Sequence, residues 1–168
     1  MIIRWLSCFF LTLSLFAADK VEVKNLELNI LKGVKNGAGY VSIYNGNTFT
    51  INLHTVTVQP EVFDHIELHD HVPRKDENGI DYMEMIEIPE IEIAPGATLF
   101  LQPGSKHLML MNISPNLCQH KTLRFEFSFR STQGNFSKTI DHAPQHKRCI
   151  NLNSDVANPA FSSSLPGG

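Results

Sequence analysis

Every second residue from 123 to 129 is large and apolar: Leu123, Phe125, Phe127 and Phe129, with Arg124, Glu126 and Ser128 between them. Period two is the period of a β-strand, whose side chains leave by alternate faces. The pattern therefore predicts a strand with one heavy aromatic face, and such a face needs a second layer to cover it. The same period recurs along the chain, and helical spacing is nearly absent. Residues 21–31 alternate loosely through Val21, Val23, Leu26, Leu28 and Ile30, and residues 33–39 read as a turn-rich connection. Residues 40–44 form a short strand. Asn45-Gly46-Asn47 reads as a hairpin turn into a long strand over 48–58, which Pro60 ends. Further strands are expected near 63–72, 82–88, 91–93, 98–101, 107–113 and 136–140, with a polar loop over 73–81. About nine short strands separated by turn signals predict an all-β Greek-key sandwich or barrel.

The first residues stand apart from this pattern. Arg4 precedes an apolar run over 5–16, then the small pair Ala17-Ala18, then Asp19-Lys20. That is the layout of a secretory signal peptide, and the run is too short for a convincing membrane span. The expected organisation is a leader over 1–18, a β-domain over 19–150 and a flexible polar tail over 151–168, rich in Asn, Ser, Pro and Gly. Of 14 Lys and Arg against 17 Asp and Glu, the leader holds only Arg4, so the mature net charge is about −4. A mildly acidic domain lacks the concentrated basic face that nucleic acid requires. No second apolar stretch approaches membrane-spanning length, so a soluble mature form is expected. Cys8 leaves with the leader. The remaining pair, Cys118 and Cys149, is the even count that suggests a disulfide in an exported chain.

Three strands carry soft or borderline metal ligands two residues apart, hence on one face. They are His69 and His71, then Met83 and Met85, then His107, Met109 and Met111 after the Pro103-Gly104 turn. Leu108 and Leu110 point the other way. Thioether sulfur is neutral and soft, and it favours Cu(I) over harder ions. In an oxidising compartment it also avoids the disulfide formation that removes thiolates. Methionine in a strand is more often core filler than ligand, and spacing alone does not bring three strands together. His65 shares the parity of His69 and can flank such a site. His142 and His146 rank below as a flexible accessory pair, and His120 has no partner in the pattern. No nucleophile with its base and no paired carboxylates stand out, so an enzyme is not expected.

At these residues the sequence resembles the periplasmic copper chaperones called PCu(A)C. Their pattern is a His, a Met after a short hairpin, about twenty-one residues, then His-x-Met. Here twenty-one residues separate Met85 from His107-Leu108-Met109. The stretches Gly39-Tyr40-Val41-Ser42-Ile43-Tyr44-Asn45, Ile66-Glu67-Leu68-His69, Ile93-Ala94-Pro95-Gly96-Ala97 and Leu101-Gln102-Pro103-Gly104-Ser105-Lys106 match the family's surroundings. So does Leu123-Arg124-Phe125-Glu126-Phe127, and the similarity runs over about 21–140.

The resemblance implies a cupredoxin-like or immunoglobulin-like Greek-key β-sandwich. It implies His69, Met85, His107 and Met109 as ligands of Cu(I), with His71, Met83 and Met111 as secondary candidates and Cu(II) as an alternative state. It further implies a periplasmic metallochaperone that passes copper to periplasmic or membrane-anchored proteins assembling the copper centres of cytochrome c oxidase. The chain departs from the family in the interval after the first His. Fifteen residues lie between His69 and Met85, and thirteen between His69 and Met83, where the family has ten or eleven. Alternative functions are an electron-transfer cupredoxin, which needs a thiolate with two His, a metal-independent immunoglobulin-like interaction module, and a copper redox enzyme with a tighter His cluster.

Overall fold

The protein is described by a computed structural model covering residues 20–31 and 33–144. The expected leader, the 151–168 tail, His146 and Cys149 lie outside the described residues. Ten strands are present among the described residues: β1 (Val21–Asn29), β2 (Gly37–Asn45), β3 (Ile51–Gln59), β4 (His65–Lys75), β5 (Asp81–Glu87), β6 (Ile91–Ile93), β7 (Thr98–Leu101), β8 (His107–Met111), β9 (Leu123–Ser131) and β10 (Phe136–His142). One short 3-10 turn, Pro115–Gln119, sits between β8 and β9.

The strands make two antiparallel sheets. One runs β1-β2-β8-β4-β5, with β7 pairing β2 further along the edge that β8 occupies; the other runs β10-β9-β3-β6. Leu123, Phe125, Phe127 and Phe129 are fully buried, as the alternation predicts. Together with Ile51, Leu53 and Val56 they form one wall of the core; Val41, Ile43, Leu68, Leu108 and Leu110 form the other. The all-β sandwich expected from the turn spacing is the architecture observed.

Three local expectations are corrected. First, Asn45-Gly46-Asn47 does not close a hairpin, because β2 and β3 belong to different sheets. Asn45 is instead a buried corner. Its amide donates to the carbonyls of Phe49 and Ile93 at 2.9 Å each and Ala94 at 3.2 Å, while its Oδ1 accepts from the Asn47 backbone N–H at 3.1 Å. Gly46 serves a close approach to β1 rather than a tight turn: a Cβ there would stand 2.7 Å from the Lys20 carbonyl oxygen. Second, Gly37 and Gly39 are strand residues, not connection. A Cβ on Gly37 would meet Ile30 Cγ1 at 2.9 Å, so the small residue lets β2 pack closely. Third, Pro73, Arg74 and Lys75 continue β4, and only residues 76–80 turn, held by Asp76 Oδ1 accepting from the N–H groups of Asn78 and Ile80. The loose alternation of 21–31 also gains a cause. The β1–β2 register shifts between Lys24 and Glu27, with Asn25 at φ 56°, which moves the inward face from odd to even positions.

Candidate metal centre

The central strand of the site is β8. Leu108 and Leu110 point into the core, fully buried, and leave His107, Met109 and Met111 on the outer face. Register then decides which neighbours share that face. On β4, His69 stands opposite His107, Glu67 opposite Met109 and His65 opposite Met111. On β5, Met85 stands opposite His71 and Met83 opposite Pro73. On β2, Ala38 stands opposite Met109.

The result is a groove of about 390 Å³ at the end of β8, lined among others by His71, Met85, His107, Met109, Tyr40 and Leu31. His69 is not in that lining, but its ring centroid lies 5.8 Å from that of His107; the His71 ring lies 5.1 Å from the same centre. Met83 lies one same-face position further out on β5, 56% exposed. Met111 lies four residues from His107, about 13 Å at the rise of an extended strand, beside His65. The structure thus brings His71, Met85, His107 and Met109 together, with His69 beside His107, and leaves His65, Met83 and Met111 outside the groove. His142 lies on β10 in the other sheet and His120 follows the 3-10 turn, so neither joins this face.

Hydrogen bonds fix the imidazoles. The Ser105 carbonyl oxygen accepts from His107 Nδ1 at 2.9 Å and from His71 Nδ1 at 3.1 Å. A carbonyl only accepts, so both Nδ1 atoms carry a proton, and Nε2 is the nitrogen of each ring whose lone pair a metal would use. His107 is 5% exposed, and burial pushes its pKa below the usual histidine value; His71 and His69 act the same way, against the Ser105 hydrogen bond and Asp70. It is therefore neutral near pH 7, the state a metal ligand needs.

The Glu67 carboxylate joins two other rings, accepting from His69 Nε2 at 2.7 Å and His65 Nε2 at 2.8 Å. The His69 bond, then the His65 bond, hold the Glu67 carboxyl below its usual range, and the Glu67 bond raises His65. His69 Nδ1 is buried and has no hydrogen-bond partner. Below the site, Lys106 Nζ bonds Asp70 Oδ2 at 2.6 Å, and Asp70 Oδ1 accepts the His71 backbone N–H at 2.8 Å.

Among the described residues, no three His, Cys, Asp or Glu side chains converge to hold one ion. A metal centre on this face must therefore draw on thioethers, and two of the four soft groups lining the groove are methionines. Sequence reasoning did not find Glu67, Asp70, Lys106 or the Ser105 carbonyl. Glu67 was within reach of the parity rule, two residues before His69; a backbone carbonyl has no side-chain signature.

The fold and the arrangement of strands are those of PCuAC domains. The copper-bound PCuAC domain from PmoF2 superposes with a TM-score of 0.54 at 19% identity, over 76% of this chain and 94% of that one. The apo PCuAC domain from PmoF1 gives 0.55 at 23% identity, over 74% and 92%. The apo PmoF2 PCuAC domain gives 0.52 at 19%, over 74% and 88%. In sequence, the model of the family described as "Putative lipoprotein LpqE-like" matches residues 18–136, and the chain belongs to this LpqE-like family. No curated protein sequence matches it.

Proposed function

We propose that this protein is an exported Cu(I) carrier. Met85, His107 and Met109 hold the ion together with one imidazole of β4, and copper leaves toward acceptors that assemble cytochrome c oxidase copper centres. The observation that carries the reading is the groove in which two methionines and two imidazoles from three strands face one another. Soft thioethers suit Cu(I), and an open groove suits an ion that must be handed on. The copper-bound state of the PmoF2 domain supports the metal. The lipoprotein description of the family supports export to the periplasm, where a Cys118–Cys149 bridge would also be stable.

A carrier needs no catalytic group, and none is assigned. A cupredoxin needs a thiolate ligand, and Cys118 lies on the 3-10 turn, away from the groove lining. The test is a Cu(I) competition titration against a chromophoric chelator, beside His107→Ala/Met109→Ala, with circular dichroism on both. One-to-one binding that collapses in the folded variant supports the carrier. Binding indifferent to the change overturns it and leaves an interaction module.

A further inference from the structure

Resting on the copper reading above, we infer that His71, in place of His69, is the β4 histidine that completes the site in this chain. Four observations converge on it. His71 stands directly opposite Met85 in the β4–β5 ladder, whereas His69 stands opposite Glu87. Directly paired residues of an antiparallel ladder are the closest side-chain neighbours on a sheet face. His71 lines the groove with Met85, His107 and Met109. Its ring is 5.1 Å from the His107 ring.

The fourth observation concerns preparation for a metal. One backbone carbonyl, that of Ser105, accepts from both His71 Nδ1 and His107 Nδ1, at 3.1 and 2.9 Å. Metal-bound imidazoles commonly give their second N–H to such an acceptor, which fixes both tautomer and ring orientation. Here a single acceptor orders two rings through Nδ1, which leaves Nε2 of each as the nitrogen for a metal. His69 is engaged differently: its Nε2 is held by Glu67, which also holds His65. Three observations stand on the other side: His69 is paired directly with His107 in the β4–β8 ladder, its Nε2 is held by a carboxylate as in many metal-bound imidazoles, and its buried Nδ1 is unpartnered.

The shift also shortens the long interval in the sequence, to thirteen residues between His71 and Met85 against ten or eleven in the family. Moving the ligand from His69 to His71 removes two residues from the fifteen that precede Met85, while the hairpin pairing is kept.

Three variants decide the matter, all titrated with Cu(I) against the chelator and checked for folding. His71→Gln is expected to weaken binding by about 100-fold or more, beyond what loss of an outer-shell partner causes. His69→Gln stays close to the parent. His71→Met, which restores a soft donor at the same place, recovers most of the loss, a rescue that a purely structural role for His71 does not give. A larger loss in His69→Gln than in His71→Gln, equal losses in the two, or no loss in His71→Gln overturns the inference. If any of these appears while His107→Ala/Met109→Ala still collapses binding, the carrier reading stands without it. A parent protein that binds no Cu(I) overturns both.

Discussion

His69 and His107 form the last pair of the β4–β8 ladder. Past this pair β4 runs on to Lys75 with β5 as its ladder partner, so the hairpin projects from the sandwich as an arm. The candidate centre sits at that junction. Its inner ligands stand on a strand anchored by Leu108 and Leu110, and its outer thioether stands on the arm.

One tie across the junction is Asp70, bonded to Lys106 in the turn before β8 and to the His71 backbone. Asp70→Ala should lower Cu(I) affinity about tenfold, as loss of a supporting partner does. Stability should fall by less than about 1 kcal/mol, since the ion pair is partly exposed. Chelator titration and urea unfolding of the same preparation measure the two effects.

Asn45 holds the two sheets together at their corner through its buried amide. Asn45→Ala strands the buried carbonyl of Ile93, at roughly 1–3 kcal/mol for a buried group left unsatisfied, and the half-buried carbonyls of Phe49 and Ala94 at less each. The expected loss is about 3 kcal/mol or more by urea unfolding. Asn45→Asp should be similarly damaging, because a carboxylate cannot donate.

Phe127 is fully buried at the middle of the aromatic face. Phe127→Ala should cost about 3–5 kcal/mol, combining lost transfer energy with the cavity left behind. The folded fraction should still bind copper, since Phe127 lies in the opposite sheet from the groove.

His142 packs edge-on against Phe125, ring centroids 6.3 Å apart, and burial lowers its pKa from the ordinary value of about 6.5. Below that value the unfolded chain takes up a proton that the folded chain still refuses. Stability is therefore lost as pH falls from about 6.5 toward the folded value, then levels off. His54 and His107 are shifted the same way and His65 the opposite way. All three remain in His142→Leu, so the variant should show a shallower decline between about pH 7 and 5. Identical slopes for variant and parent would remove His142 from the account.

The sequence made the faces legible but not the register. Alternation put Leu108 and Leu110 on one face and His107, Met109 and Met111 on the other, and gave β9 an aromatic face that needs covering, because parity along a strand needs no partner. Parity cannot say who stands opposite. Parity alone does not separate Met83, Met85 and Met111, yet pairing sets Met85 against His71, Met83 against Pro73 and Met111 against His65. The Asn45-Gly46 signal misled for a related reason. Local chemistry marked a change of direction, but the partner that decided its use was the carbonyl of Ile93, 48 residues away. The face switch in β1 depended on a bulge that apolar spacing reflects without explaining.

Strand β5 is an edge, paired with β4 on one side among the described residues, and its Met85 is 48% exposed. A thioether on such a strand is tethered by the least protected backbone in the sheet, where amide protons exchange through small openings rather than global unfolding. Fraying the arm can therefore take Met85 away while Leu108 and Leu110 stay packed beneath His107 and Met109. On the carrier reading proposed above, copper release is governed by the cost of peeling one hairpin, and the dwell time of the ion can be tuned along the arm without touching the core.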